Sequence, residues 1–215
     1  MDSGFYFVIE GMDCSGKSTQ AKMINDRLKN DGYECVLTTE PTKFNTGLLI
    51  RELIKEEDKD PCRAANRDTF AWFMDRAEHN MKVVEPALES GKMVVSDRNY
   101  LSTIAYQISL NPNLKDLIFY ILNNQKKNGY IKTPDISLVL DIPIAEYERR
   151  QKEKNKLEKF ETSSFQKKVK HAYLNMKNYL ADEEIRVLDG TMSVKDLNEE
   201  IYKKYLLKAI KSKKN

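Results

Sequence analysis

The chain lacks any run of about 18 apolar residues that could cross a bilayer. Its opening, MDSGFYFVIEG, lacks the basic region ahead of a long apolar core that marks a secretory leader, so a cytoplasmic protein is expected. Cysteine is scarce: Cys14, Cys35 and Cys62 are an odd set without paired CxxC spacing, which suits reduced thiols and disfavours a disulfide framework or a zinc site. Neither sign of charge dominates, with 36 Lys and Arg against 33 Asp and Glu for a net +3 at pH 7. Composition therefore gives no reason to expect a nucleic-acid or membrane partner. Repeats and low-complexity linkers are missing as well. The 215 residues fit one domain, 1–215, with a sizeable core.

What is present is an alternation of two periodicities. FYFVIE (5–10), CVLTT (35–39), KMVVSD (92–97), ISLVLDIP (136–143) and IRVLD (185–189) are short apolar runs rich in strand formers. Between them lie segments of helical spacing. Ala21, Ile24 and Leu28 repeat after the first run, with Gly32 as a stop signal. Further helices are predicted at 46–57, 64–88, 99–110 and 114–128, in a charged segment to about 156, at 163–180, and at the C-terminal end. Strands alternating with helices predict an α/β fold with a five-stranded, mostly parallel sheet. Within 64–88, the spacing of Phe70, Phe73, Ala77, Met81, Val84 and Leu88 predicts a core-facing stripe.

Gly11 to Ser18 reads G-x-x-x-x-G-K-S between a predicted strand and a predicted helix, the context in which this pattern cradles phosphates. Backbone N–H groups from Gly11, Met12, Asp13, Cys14, Ser15, Gly16 and Thr19 would surround a nucleoside triphosphate. Lys17 would reach its β and γ phosphates, and the Ser18 hydroxyl suits Mg²⁺. Asp97, ending an apolar strand, is the candidate second metal ligand. An N/T-K-x-D signature for guanine is absent, which argues against a GTPase.

Trp72, Asp75, Arg76 and His79 share one helical face. A flat ring beside a guanidinium can hold a nucleobase; it can equally be a packed Trp beside a surface ion pair. Arg98, next to Asp97, and Arg51, on the helix after TTEP, are candidate phosphate ligands.

In order, IEGMDCSGKSTQ, TTEP, FAWFMDRAEH, SDRNYLSTIAYQ, PDISLVLDIP and the basic segment 149–161 cover nearly the whole chain. In these motifs it resembles the thymidylate kinases, a family of nucleoside monophosphate kinases. The resemblance implies a P-loop NTPase-type three-layer fold with a small helical lid near 148–161, and transfer of a phosphoryl group from ATP to dTMP with Mg²⁺. It also implies that Trp72 stacks on the base, Arg76 reads its edge, Arg51 and Arg98 hold the acceptor phosphate, and Asp13 approaches the 3′-hydroxyl. Tyr106 would pack by the sugar, Ser102 and Gln107 would line the same pocket, and Arg150 with Asp189–Thr191 would flank adenine. A homodimer is implied too. Thr39, Trp72, Met74 and Asn99 depart from the usual residues at their positions, which bears on base selectivity.

Phosphoryl transfer needs positive charge around the transferring group, and Lys17, Mg²⁺, Arg51 and Arg98 supply part of it. The phosphate loop carries Cys14 where some relatives have a cation, so Arg150 and Lys154 of the lid are the expected catalytic additions. The interspersed Glu146, Glu148, Glu153 and Glu158 also fit a solvated, salt-bridged helix. A deoxynucleoside kinase, a kinase of another deoxynucleoside monophosphate, and a nucleotide-binding regulator without turnover are the alternatives.

Overall fold

A computed structural model describes residues 4–56, 59–153 and 162–214. The strands are β1 (Phe5–Glu10), β2 (Cys35–Thr39), β3 (Met93–Asp97), β4 (Ile136–Asp141) and β5 (Ile185–Asp189). They pair in parallel in the order β2-β3-β1-β4-β5. The helices are α1 (Lys17–Asn30), α2 (Asn45–Lys55), α3 (Pro61–His79), α4 (Glu85–Glu89), α5 (Tyr100–Leu110) and α6 (Lys115–Lys127). After β4 come α7 (Ile144–Lys152), α8 (Ser163–Leu174) and α9 (Met176–Tyr179), and after β5 α10 (Val194–Glu200) and α11 (Leu207–Lys214). The expected five-stranded parallel sheet flanked by helices is borne out.

Both faces of the central strand are covered, which is why it reads as a continuous apolar run. Phe5, Phe7 and Ile9 pack with Ala21, Ile24 and Leu28 of α1 and with Leu197, Ile201 and Leu206. Tyr6 and Val8 face the other way, against Val84, Ala87 and Val94. Helix α1 ends where Gly32 adopts φ 88° and the Tyr33 N–H returns to the Leu28 carbonyl at 3.0 Å, a turn that a side chain at residue 32 would strain. Helix α3 starts from Asp60, whose side chain accepts from the N–H groups of Cys62 and Arg63, with Pro61 at its first position.

The core stripe expected along 64–88 needs correction. Phe73 and Val84 are buried, but Phe70 and Met81 are 56% and 59% exposed, and Ala64, Ala65, Thr69, Asp75, Arg76 and His79 are buried. Two causes are visible. A π turn at Asn80–Val84 joins α3 to α4, and its extra residue shifts the helical phase after His79. The inward face of α3 also carries polar groups that find partners on neighbouring elements, Asp75 on Thr42, Arg76 and His79 on Glu40, so apolar spacing alone marked the wrong side.

Candidate active site

The carboxyl ends of β1, β2 and β3 meet at Glu10, Thr39 and Asp97, with Asp97 in register with both Ile9 and Thr39. Ligands of open parallel sheets bind at this edge. The chain leaves β1 through Gly11 at φ 138°, Cys14 at φ 61° and Gly16 at φ 96°. A Cβ on Gly11 would lie 2.5 Å from the Leu140 carbonyl oxygen of the neighbouring strand, so the close approach requires glycine. Gly11→Ala is expected to destabilise the fold by about 2–4 kcal/mol through clash and backbone strain, read as a lower urea midpoint at unchanged slope.

Gly16 caps α1 without a side-chain bond, which leaves the first N–H groups of the helix for an anion. They line a cavity of about 560 Å³ that also receives Arg98, Arg149, Arg150 and Gly190. Lys17 is buried and its Nζ donates to the Met12 carbonyl at 2.7 Å. Burial first, then the Arg98 charge, pushes its pKa down to about 8; a bound polyphosphate would reverse that by supplying the missing countercharge.

Ser18 Oγ donates to Asp97 Oδ2. Among the described residues, Asp97 Oδ1 is buried without a hydrogen-bond partner, an orphaned acceptor beside a hydroxyl at the mouth of the phosphate loop. That pair fits Mg²⁺, which prefers one or two protein oxygens completed by phosphate and water. Among the described residues no cluster of three or more His, Cys, Asp or Glu forms a protein-only metal cage.

Asp13, Arg98, Ser102 and Tyr106 are brought together. The Arg98 guanidinium donates to Asp13 Oδ1, to Ser102 Oγ at 3.1 Å and to the Gly11 carbonyl at 3.4 Å. Tyr106 OH and Gln166 Nε2 donate to Asp13 Oδ2 at 2.8 and 2.9 Å. Beneath them sits Glu10, fully buried, accepting from the Asn99 and Ser102 N–H groups, Ser102 Oγ and Tyr173 OH. Burial outweighs the Arg98 charge and holds the Glu10 carboxyl above the usual range.

The remaining predicted residues occupy three further places. Trp72 packs beside Ile50, Leu53 and Ala71; in the amide orientation that satisfies both neighbours, Gln107 accepts from the Trp72 indole N–H and donates to the Ala65 carbonyl, each at 3.2 Å. Arg76 is 3% exposed, with Nε and Nη2 on Glu40 and Nη1 on Thr103 Oγ1 at 3.0 Å. Exposed Arg51 donates to the Pro41 carbonyl at 2.5 Å. Asp75 is buried and accepts from Thr42 and from Thr46 of α2, the helix whose Ile50 and Leu53 pack with Trp72. Met74 is 48% exposed. Asn99 caps α5 through the Leu101 N–H.

Arg150 spans the donor cavity, bonding Glu146, the Cys14 carbonyl at 3.1 Å and the Gly190 carbonyl at 2.9 Å. It ties the phosphate loop to the loop after β5. Arg149 lines the same cavity and pairs with Glu146 and Glu153. Lys154 and the rest of the expected lid through residue 161 lie outside the described residues.

Sequence reading missed Glu10, Glu40, Gln166 and Tyr173. A charged residue ending an apolar strand was an available signal for Glu10; Gln166 and Tyr173 carried none, because they reach the site from 153 and 163 positions away.

A family model described as thymidylate kinase matches residues 9–201. A protein of Pyrococcus horikoshii named "Probable thymidylate kinase" is 36% identical over 201 residues, 92% of this chain and 94% of its own length. One of Thermococcus gammatolerans with the same name is 37% identical over 204 residues, again 92% and 94%. The "Thymidylate kinase" of Leptospira borgpetersenii is 36% identical over 207 residues, 96% and 95%.

Proposed function

Because the chain belongs to the thymidylate kinase family, we propose that it transfers the γ-phosphoryl group of ATP to dTMP, giving ADP and dTDP. The observation that carries this reading beyond the family is the Asp13–Arg98 pair, which joins the phosphate loop to the segment after β3. One arginine thereby stands between the donor cradle and the proposed acceptor side.

The mechanism is positioning and charge neutralisation. The acceptor phosphate has its second pKa near ~6 and is mostly dianionic at neutral pH, so it attacks without a general base. Lys17 and the backbone N–H groups of the phosphate loop hold the donor. Ser18 and Asp97 would hold Mg²⁺, which would supply positive charge against the donor phosphates. Arg98 and Arg51 bind the acceptor phosphate, Asp13 takes the 3′-hydroxyl, Tyr106 lies by the sugar, and Trp72, Arg76, Ser102 and Gln107 form the base pocket. Arg150 keeps the donor cavity in register and is proposed, with Lys154, as the lid's cationic contribution. Arg150→Ala is expected to lower kcat at least about tenfold; turnover within about twofold, under ~0.5 kcal/mol of barrier, removes it from the catalytic set.

We assign a homodimer to the face that the expected core stripe left exposed. Phe70, Met74 and Met81 of the 61–89 segment and Leu48 and Leu49 of α2 are each 45% exposed or more, apolar side chains that a second copy would cover. Phe70→Glu is expected to give a monomer by light scattering, where the native chain gives a dimer.

The test of the activity is ADP release with Mg·ATP against dTMP, dUMP, dGMP, dCMP, AMP and thymidine in parallel. Strong preference for dTMP is the expected result. Phosphorylation of thymidine alone would overturn the roles of Arg51 and Arg98, and ATP binding without turnover on any acceptor would favour a regulator.

A further inference from the structure

The buried inward edge of α3 and the end of β2 interlock through four polar side chains. Arg76 and His79 stand three apart on the helix, and Thr38 and Glu40 two apart on the chain leaving the strand, so each pair projects to one side. Glu40 gives one oxygen, Oε2, to Nε and Nη2 of Arg76, and the other, Oε1, to His79 Nδ1 at 2.9 Å. The second ring nitrogen of His79, Nε2, lies 2.6 Å from Thr38 Oγ1. Glu40, Arg76 and His79 are each 3% exposed or less. Burial alone would push the Glu40 carboxyl up, but Arg76 and His79 outweigh it and hold Glu40 below the usual range.

We infer that His79, locked by Thr38, is a positioning residue for acceptor recognition: by pinning the second oxygen of Glu40 it sets the place of the Arg76 guanidinium. The inference rests on the reading of Arg76 as the contact to the base edge. A carboxylate held only by Arg76 can turn about its terminal bond, and the guanidinium turns with it. With Oε1 held by His79, the carboxylate cannot swing, Oε2 stays in place, and its two bonds to Nε and Nη2 hold that edge of the guanidinium. Thr103 Oγ1 fixes the far side through Nη1. A guanidinium has five N–H hydrogens; these three bonds leave one on each terminal nitrogen, aimed by the network, for the oxygen of a pyrimidine ring. The same stretch of chain adjoins the metal acid, since the Glu40 N–H and Thr39 Oγ1 both donate to the Asp97 carbonyl, at 3.1 and 3.2 Å.

Two amide replacements separate the roles of the two ring nitrogens. His79→Asn puts an amide nitrogen near the place of Nδ1 and keeps the bond to Glu40, whereas His79→Gln reaches toward Thr38 and loses Glu40. Thr38→Val removes the outer lock without changing shape. Steady-state kinetics on these and on Arg76→Lys are the test. His79→Gln is expected to raise KM for dTMP about tenfold, the scale of one lost charged hydrogen bond, with kcat and KM for ATP within about twofold of native. His79→Asn is expected to rescue most of that rise, and Thr38→Val to fall between. A native KM for dTMP in His79→Gln and Thr38→Val, beside a raised one in Arg76→Lys, would overturn the inference alone. A native KM in Arg76→Lys would overturn the base-contact reading and the inference with it. Equal losses in kcat and in KM for both substrates would assign His79 to general packing and also overturn the proposal. Should His79→Gln not fold, Thr38→Val decides between the same outcomes.

Discussion

Lys17→Met should lower kcat/KM by about 10³-fold, roughly 4 kcal/mol of transition-state stabilisation, with ATP affinity falling less than turnover. The side chain is buried at the base of the phosphate loop and its ammonium bonds the Met12 carbonyl. It is therefore already fixed beside the place where donor charge develops and needs little reorganisation as the reaction proceeds. Burial, as the leading cause, holds its pKa down to about 8. A cation in such surroundings acts on phosphate oxygens far more strongly than in bulk solvent. Methionine matches the stem in volume and leaves the core intact, so single-turnover kinetics on the folded variant isolate the charge. A loss smaller than about tenfold would exclude Lys17 from the transition state.

Arg98→Lys should be nearly as damaging as Arg98→Met, each about 10²-fold in kcat/KM. The reason is geometric. One guanidinium reaches Asp13, Ser102 and the Gly11 carbonyl at once, and an ammonium on a flexible stem cannot present the same fork. The backbone fixes where that fork starts: residue 98 sits at φ 77°, a conformation that strains any L residue, and its N–H bonds the Ile9 carbonyl at 3.0 Å. Ser102 and Tyr173 over Glu10 hold that strained turn in place. Recovery of native activity by lysine would mean that charge alone matters at this position. The expected result is that lysine restores little, and that KM for the acceptor rises along with the fall in kcat.

Much of this site could be read directly along the chain, and the reason is local. A phosphate loop is a consecutive stretch whose glycines, lysine and serine act through their own backbone and the helix that follows, so Gly11 to Ser18 needed no tertiary partner to be recognised. Strand runs with both faces buried announce themselves by continuous hydrophobicity, and all five were placed at or within two residues of their observed limits. Asp97 and Arg98 follow from standing at the end of such a run.

The faces of α3 did not follow from its periodicity. Phe70 and Met81 repeat at helical spacing as a core residue would, yet lie on the surface, and Asp75, Arg76 and His79 look solvated and are buried. Spacing reports that a helix has sides; it does not report which side meets protein when buried polar groups satisfy one another. The partners that make this burial possible, Thr42 for Asp75 and Glu40 for Arg76 and His79, come from the segment after β2. Gln166 and Tyr173 likewise reach Asp13 and Glu10 only because α8 packs against α5. Chemistry carried by consecutive residues is written in their order. Charges that neutralise one another across the core depend on which elements the closing sheet brings together, because a buried ion is tolerated only beside its partner.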